Sequence, residues 1–340
     1  MNDSPKGRVR TVAIALGAVV VFQLLMVGSY VGAFHNPTPR AVPVGVVAPT
    51  PALTEQAIAS IPNSSGALSL TAVADGATAQ RRILDGDLYA AFVLGATGDQ
   101  LYVAGAASPS IADAVSRDFT AAEAAAGRTL SVIDVAALPT SDSRGVAPFY
   151  LVLGWVVGGY LGATVVGLLR GMGAAGRRNA WRRVAALAAF ALVSGVAITV
   201  ATAATFGIVS DHLISVALLG SLVVFATAVA TAGLQAIFGI AGTGIVLLLF
   251  VVFGNPASGG PAVRPLLPTL WRRLGGAVVN GAGTDALRAA IYFPTRSILA
   301  PVLILFGWAL AGVTAMVVVG HGRTADPFAE LELAAGVAAI

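Results

Sequence analysis

The 340-residue sequence lacks cysteine and holds few charged residues, 11% against roughly 25% in soluble domains. Without cysteine, neither disulfide bonds nor thiolate metal sites can form. The three histidines, His35, His212 and His321, follow no metal-ligand spacing, so we expect no metal or other cofactor in this chain. Hydrophobic residues make up 57% of the sequence and the mean hydropathy is +0.85, which predicts an integral protein in contact with membrane lipids.

Lysine is almost missing as well, since Lys6 is the only one. A nucleotide-binding P-loop requires a lysine within the pattern GxxxxGK[ST], and Lys6 does not lie in such a pattern. The chain is therefore predicted to be no enzyme and to hydrolyse no ATP itself. The arginines behind the net charge of +4 cluster at the ends of apolar segments, where they set membrane orientation, so no nucleic-acid partner is expected.

Six apolar segments approach the roughly 20 residues that a helix needs to cross the hydrocarbon core. The first, residues 11–34, follows Lys6, Arg8 and Arg10. Because it exceeds the roughly 7–15 apolar residues of a signal peptide, we interpret it as a retained anchor. The other five spans are predicted at residues 149–169, 184–209, 213–234, 237–253 and 297–319. The expected fold is an all-α membrane bundle of six transmembrane helices, five of them within residues 147–320.

Residues 35–146 differ in kind, because they contain many prolines and charged residues and no apolar run of membrane length. Strands are predicted at 41–48, 68–74, 89–94, 100–104 and 130–136, and helices at 54–60, 78–84 and 110–126. Ser108 and Pro109 are typical of a cap and a first turn. About 110 residues can bury an independent core, which predicts a small extracytoplasmic α/β domain inserted between transmembrane helices 1 and 2.

The loop at residues 170–183 determines the predicted orientation. It carries no acidic residue and five arginines, which are Arg170, Arg177, Arg178, Arg182 and Arg183. The positive-inside rule places this loop in the cytoplasm, together with residues 1–10 and the tail 321–340. The predicted location is a bacterial inner membrane. The arginines between residues 255 and 296 would then face outward, which disagrees mildly with the rule.

Two interpretations of the loop at 170–183 remain open. The arginines can serve only as a topology marker, or they can form a docking site for a cytoplasmic partner with Trp181 as an anchor, since Trp and Arg are frequent interface hot spots. No Asp, Glu, Lys or Arg lies inside the six predicted spans. Ion-coupled transporters generally need an ionisable group at depth, so secondary transport is disfavoured.

Three glycines spaced four apart, Gly154, Gly158 and Gly162, lie on the second predicted span. This spacing allows two helix backbones to approach closely. It predicts tight helix packing, either within the chain or between two copies in a homodimer.

Residues 255–296 are too apolar for an ordinary loop and too broken for a span. Pro256 cannot continue a helix that ends at Gly254, so Asn-Pro-Ala-Ser-Gly-Gly is predicted to turn the chain back along the outer leaflet. An amphipathic helix is expected over residues 266–274. A second helix is expected at 284–291, after a loop at 280–283 and with Thr284 as cap. Such a segment suits a re-entrant position, although an inert lid is the alternative.

The run FGNPASGGPAVRPLLPTLWRRLGGAVVNGAGTDALRAAIYF covers residues 253–293. Its Gly-Asn-Pro-x-Ser-Gly, Leu-Pro, Gly-Ala-Gly, Leu-Arg and Tyr-Phe steps resemble the outer-loop motif of the phage-infection-protein family, within the type-2 ABC exporter permeases. The resemblance implies a permease that forms a homodimer, or pairs with a related permease, and that binds a separate ABC ATPase subunit. ATP would then be a cofactor of that partner alone. Residues 1–10 depart from the family, because they are too short and too polar for the usual amphipathic helix before the first span.

The resemblance also implies roles for named residues. The ATPase-coupling loop would comprise Arg170, Arg177, Arg178, Trp181, Arg182 and Arg183. The outer gate would comprise Gly254, Asn255, Pro256, Ser258, Gly259 and Arg288. The implied activity is the outward movement of a hydrophobic or amphiphilic substrate. The alternative is a non-transporting envelope scaffold or receptor that acts through residues 35–146.

Overall fold

The computed structural model describes residues 5–63, 65–172 and 176–319, so the predicted tail at 321–340 lies outside the described residues. The structure is mostly helical and contains one small sheet. Among the described residues, five helices are long and apolar enough to cross a membrane, namely Val12–Phe34, Ala147–Arg170, Arg177–Phe206, Ser210–Phe238 and Leu299–Val319. These helices are compatible with a multi-pass membrane protein.

The sheet lies between the first and second of these helices in the chain. Its strands are β1 (Val42–Val47), β2 (Leu68–Ala72), β3 (Ala90–Val93), β4 (Asp99–Val103) and β5 (Leu130–Asp134). They follow the order β2-β1-β3-β4-β5, and all neighbours are parallel except the antiparallel pair β3 and β4. All five predicted strands are confirmed, with ends that differ by at most two residues.

Three helices cover the sheet, so the α/β domain contains an apolar layer on each face of the sheet. They are α2 (Pro51–Ser60), α3 (Gly76–Leu84) and α4 (Pro109–Ala125). Side chains of α2 and α4 pack on one face of the sheet, and side chains of α3 pack on the other. The Ser108 hydroxyl accepts a hydrogen bond from the Ile111 N–H at 3.3 Å, which confirms the predicted cap of α4.

The helical bundle is organised around one central helix. Its members are α5 (Ala147–Arg170), α6 (Arg177–Phe206), α7 (Leu213–Phe238) and α12 (Leu299–Val319), and α7 packs against the other three. By contrast, most described side chains of α1 (Pro5–Phe34) are exposed, and the buried ones among them, Ser29 and Ala33, lie near its end.

The bounds predicted for the fifth span, residues 237–253, are wrong. Helix α7 continues to Phe238, and Gly239 then breaks it with a φ of +62°. The next apolar helix runs from Ala241 to Ala257 and combines α8 (Ala241–Val246), a π-helical segment (Leu247–Gly254) and α9 (Asn255–Ala257). Its 17 residues correspond to about 26 Å, which is short for a hydrocarbon core of roughly 30 Å.

The segment after this helix contains a 3₁₀ turn (Arg264–Leu266), α10 (Thr269–Gly275) and α11 (Val279–Tyr292). The loop predicted at 280–283 is wrong, because these residues lie within α11. Thr284 is no cap, since its hydroxyl donates to the Asn280 carbonyl at 2.8 Å. Gly281 lets α11 approach Gly275 so closely that a Cβ atom would overlap the Gly275 carbonyl. Burial thus overrides the low helix propensity of Asn and Gly.

Candidate functional site

The first candidate region is the place where residues 254–296 meet α1 and the α/β domain, which we call the junction. In a π-helix each N–H bonds to the carbonyl five residues earlier, and Pro256, five residues after Val251, has no N–H. The Tyr30 hydroxyl of α1 donates to the Val251 carbonyl instead, at 3.2 Å. The prediction that the helix ends at Gly254 is therefore wrong, because a neighbouring helix satisfies the carbonyl that proline leaves free.

Two buried asparagines extend this contact into a network. The Asn280 side-chain amide donates to the Phe250 carbonyl at 3.0 Å and to Asn255 Oδ1 at 2.6 Å. The Asn255 amide donates in turn to Tyr30 Oη at 3.2 Å. An amide side chain suits this place because it both donates and accepts. The network joins α1, the π-helical segment and α11.

The turn that ends the helix brings the remaining predicted gate residues together. The Ser258 hydroxyl donates to the Asn255 carbonyl at 2.7 Å, and Gly259 adopts a φ of +77°. Arg288 Nη1 donates to the Gly259 carbonyl at 3.3 Å. A Cβ atom on Gly254 would lie 2.6 Å from Asn280 Oδ1, so only glycine fits beside the network. The structure therefore places all six predicted gate residues in one buried cluster.

Sequence reasoning missed three members of the junction, which are Ser29, Tyr30 and Asn280. The Trp271 indole N–H donates to the Ser29 hydroxyl at 3.1 Å, so α10 also rests on the end of α1. One signal was present in the sequence: an aromatic residue near the end of an apolar span is typical of the membrane interface, and Tyr30 occupies such a position.

The α/β domain is tied to the junction by further contacts. The Arg40 backbone N–H donates to the Pro265 carbonyl at 3.0 Å. The Tyr292 hydroxyl donates to the Asp142 carboxylate, which also accepts the Ala147 N–H at 2.9 Å at the start of α5. Burial raises the pKa of Tyr292, and the hydrogen bond to Asp142 raises it further, so the hydroxyl keeps its proton. Domain, bundle and junction are thus held together by direct bonds.

A large groove opens on the sheet face between α2 and α4, with a volume of about 1040 Å³. Phe92 and Val42 of the sheet belong to its lining. Two further segments of the chain complete it, the linker after α1 through Pro37 and Pro39, and the junction through Pro261, Ala262 and Leu266. The lining is mostly apolar, so the groove is suited to an apolar molecule.

A charged cluster lies at one edge of this groove. Arg128 holds the Asp99 carboxylate through two bonds, Nε to Oδ2 at 2.5 Å and Nη2 to Oδ1 at 2.7 Å. This pairing lowers the pKa of Asp99. The neighbouring Glu123 lies 3.5 Å from Arg128, and burial raises the pKa of its carboxyl group. Glu123 Oε2 itself is buried and has no hydrogen-bond partner among the described residues, so its contact with Arg128 is the ion pair alone.

The second candidate region is the arginine loop, residues 170–183, of which 173–175 lie outside the described residues. Five of its predicted coupling residues are exposed, namely Arg170, Arg177, Arg178, Trp181 and Arg182. The Trp181 side chain retains 49% of its accessible surface, which is unusual for so large an aromatic residue. These five side chains are accessible to a partner.

Arg183 is placed differently and requires a correction. It is only 5% exposed and donates to the Met172 carbonyl and to Gln235 Oε1, each at 2.9 Å. It therefore fastens the arginine loop to α7 and is not accessible to a partner. The spacing of Arg183, Leu187 and Ala191, which are all buried on one face of α6, is the sequence signal that distinguishes it from Arg182.

The predicted packing glycines fall into two groups. A Cβ atom on Gly162 would lie 2.5 Å from the Phe190 ring, and one on Gly158 would lie 3.8 Å from Ser194 Oγ, so both face α6 within the chain. Gly154 is exposed with open space around it. Among the glycines of α5, the closest approach to α7 is made by Gly159, which the four-residue spacing missed and whose Cβ would lie 2.7 Å from Thr227.

Comparison with known proteins returns no matching family model, no similar curated protein and no similar solved structure. The resemblance to the phage-infection-protein family therefore rests on the motif at residues 253–293 alone.

Proposed function

We propose that this chain is the permease subunit of an ABC-type exporter that moves a hydrophobic or amphiphilic substrate outward, powered by a separate ATPase subunit. The apolar groove carries this proposal, because the α/β domain and the junction build it jointly. In the proposed topology the chain crosses a bacterial inner membrane six times, with the α/β domain outside and both termini in the cytoplasm. The working unit is a homodimer.

The chemistry of the groove supports a substrate with an apolar body. Its volume, about 1040 Å³, is at the upper end of the range for small-molecule sites. The linker after α1 and the segment after the Ala241–Ala257 helix both contribute to the lining. Both segments follow apolar helices directly, so a molecule that leaves the hydrocarbon core would meet the groove first.

The arginine loop supports the coupling role in the proposal. The arginine loop lies at one end of α5, and the junction lies near the other end. The 24 residues of α5 correspond to a helix about 36 Å long. An ATPase can drive transport only if it binds two states of the permease with different affinity. Because Arg183 bonds both the Met172 carbonyl and Gln235 of α7, a displacement of this loop would reach the central helix directly.

The first test is affinity purification from the native membrane in mild detergent, followed by mass spectrometry. We expect a stoichiometric ATP-binding subunit. Replacement of Arg177, Arg178, Trp181 and Arg182 by alanine should reduce its recovery at least about tenfold, since these types of residue dominate interfaces. Replacement of Arg81, Arg82 and Arg117 in the α/β domain is the matched control, which removes three positive charges and should leave recovery unchanged.

A reproducible absence of any ATPase would contradict the exporter proposal. Recovery that survives the four replacements would instead contradict the assignment of the arginine loop. The two results are distinguishable because the first concerns the wild-type protein and the second concerns only the variant.

A second candidate function is a non-transporting receptor or scaffold, and one observation favours it. Most residues that line the groove belong to the α/β domain, so ligand capture there does not require movement of the bundle. On this alternative, an amphiphile binds the groove and no ATPase accompanies the protein.

Photolabelling of the full chain in detergent-free lipid discs tests groove binding in either case. A diazirine-bearing alkyl alcohol or alkylamine is expected to label peptides from α2 and α4. Ala57 and Ala114 line the groove from opposite helices, and tryptophan at either position should reduce this labelling by occupying part of the space. Ala77→Trp, at an exposed position of α3 on the other sheet face, is the matched control. Labelling confined to the membrane helices would contradict a role for the groove.

A further inference from the structure

A second and much smaller cavity lies between the α/β domain and the junction. Its volume is about 60 Å³. The domain contributes the turn before β3, and the junction contributes the turn at Gly259 and one face of α11. The lining includes Gly86 of the domain and Gly259, Arg264, Asp285, Arg288 and Arg296 of the junction.

The charged side chains in this lining do not balance. Three arginines, Arg264, Arg288 and Arg296, face one carboxylate, Asp285. Asp285 is already paired with Arg264. The lining therefore carries a net charge of +2 in a largely enclosed space, where electrostatic interactions are stronger than in water.

Two guanidinium groups also carry donors without an acceptor in the part of the chain that the structure describes. Arg288 is only 7% exposed, and its Nη1 donates to the Gly259 carbonyl at 3.3 Å. The Nε atoms of Arg288 and Arg264 are buried and have no hydrogen-bond acceptor within residues 5–63, 65–172 and 176–319. A buried charge is costly unless it is paired and hydrogen-bonded, so an acceptor of negative charge belongs here.

We propose that this cavity binds a small inorganic anion, of chloride or phosphate size. The volume is several times the roughly 10–15 Å³ of cavity that one water needs, which leaves room for a single such ion. The anion would accept hydrogen bonds from Arg288 and Arg264 and face Arg296, which lies across Gly86. It would thereby attach the α/β domain to the junction. The proposal does not depend on the proposed transport function, because it concerns only the contact between the α/β domain and the junction.

The test follows the thermal unfolding of the full chain in a phosphate-free maltoside detergent. Chloride, bromide, phosphate or sulfate is titrated against gluconate at constant ionic strength. An ion that binds only the folded state raises the melting temperature in a saturable manner. Arg288→Gln should raise the apparent Kd of that ion at least about tenfold, since hydrogen bonds to charged groups contribute roughly 1.5–3 kcal/mol. The exposed Arg117→Gln is the matched control.

A phosphate could also come from a lipid head group, and a separate arm distinguishes that source. Phosphatidylglycerol is added to the delipidated protein in gluconate buffer. Stabilisation by the lipid without any response to the free ions would overturn the proposal of an inorganic anion. Stabilisation by chloride or phosphate in the absence of lipid supports it.

Two further outcomes are decisive. The absence of saturable stabilisation by all four ions, or an identical response in Arg288→Gln, would overturn the proposal. If Arg288→Gln does not fold, Arg296→Gln replaces it, and bromide is located by anomalous scattering in crystals of the wild-type protein. A bromide peak beside Arg288 supports the site. Where the titration has shown a response to chloride or bromide, density without a peak there contradicts it.

Discussion

The arginine loop and the junction contain the same type of residue in opposite surroundings. In the loop, Arg177, Arg178 and Arg182 extend into solvent. In the junction, Arg288 is buried and its Nε has no partner among the described residues. The two regions lie at opposite ends of α5, which begins beside the Tyr292–Asp142 contact and ends at Arg170.

This contrast separates two roles for a positive charge. An exposed arginine contributes little to stability and remains available to a partner. A buried arginine requires acceptors, so its replacement changes the fold or the occupancy of a site. Arg183 shows that the division does not follow the loop boundaries, because it lies next to Arg182 in sequence and yet contacts α7.

The largest expected effect is therefore within the arginine loop. Arg183→Ala removes the donors to the Met172 carbonyl and to Gln235, and leaves the buried Gln235 acceptor without this partner. Hydrogen bonds to charged groups contribute roughly 1.5–3 kcal/mol each, so we expect the free energy of unfolding to fall by about 3 kcal/mol. Thermal unfolding of the full chain in lipid discs measures this change.

Arg182→Ala is the control for this prediction. Its side chain is exposed, and surface substitutions usually stay within about 0.5 kcal/mol. Equal losses for the two neighbouring variants would erase the distinction between exposed and buried arginines in this loop.

An intermediate loss of stability is expected when Asn280, an uncharged residue of the junction, is replaced. Asn280→Leu removes the bonds to the Phe250 carbonyl and to Asn255 Oδ1, which lie 3.0 and 2.6 Å from the Asn280 amide. Each buried acceptor left unpaired costs about 1–3 kcal/mol, so we expect a loss of about 2 kcal/mol. The same unfolding measurement applies.

A double-mutant cycle with Asn255→Leu sharpens this result. The two side chains bond each other directly, so their effects should be non-additive by at least about 0.5 kcal/mol. Strict additivity would mean that the asparagines act separately and that the network does not hold α1 against α11.

The α/β domain and the junction differ in how far their structures can be predicted from the sequence. The strands and helices of the α/β domain follow local signals, such as alternating apolar residues and the Ser108-Pro109 start of α4, and the structure confirms them. The apolar spans are similarly local, because length and hydropathy define them. The coupling role of the arginine loop, the gate and the ATPase partner stay predictions.

The junction could not be predicted from local signals, because its structure depends on distant contacts. Pro256 lies within a helix, and Tyr30 of α1, far away in sequence, bonds the Val251 carbonyl nearby. Asn280 and Gly281 are helical only because α11 is buried. A proline, an asparagine and two glycines indicate a turn by propensity, and tertiary packing overrides that preference.

The smallest expected effect concerns the ion pair between Arg128 and Asp99 in the α/β domain. Since its bonds lower the pKa of Asp99, the folded domain keeps this carboxylate ionised where the unfolded chain takes up a proton. The stabilisation is present above the ordinary pKa of 3.8 and is lost as the pH falls below it. Calorimetric unfolding between pH 3 and 6 should show this loss. Asp99→Asn should remove it, with a cost of about 1 kcal/mol at neutral pH.

Glu123, in the same charged cluster, should give the opposite pH dependence of stability. Because burial raises the pKa of its carboxyl group above the ordinary 4.5, its contribution is complete below that pH and declines as the pH rises through the shifted value. Glu123→Gln should therefore flatten the upper limb of the profile. The acid limb should remain, because Arg128 is the main cause of the lowered Asp99 pKa. Asp99→Asn should remove the acid limb and also weaken the upper limb, because Asp99 contributes to the raised pKa of Glu123. An acid limb that survives in Asp99→Asn would contradict the assignment of that limb to the Arg128–Asp99 pair.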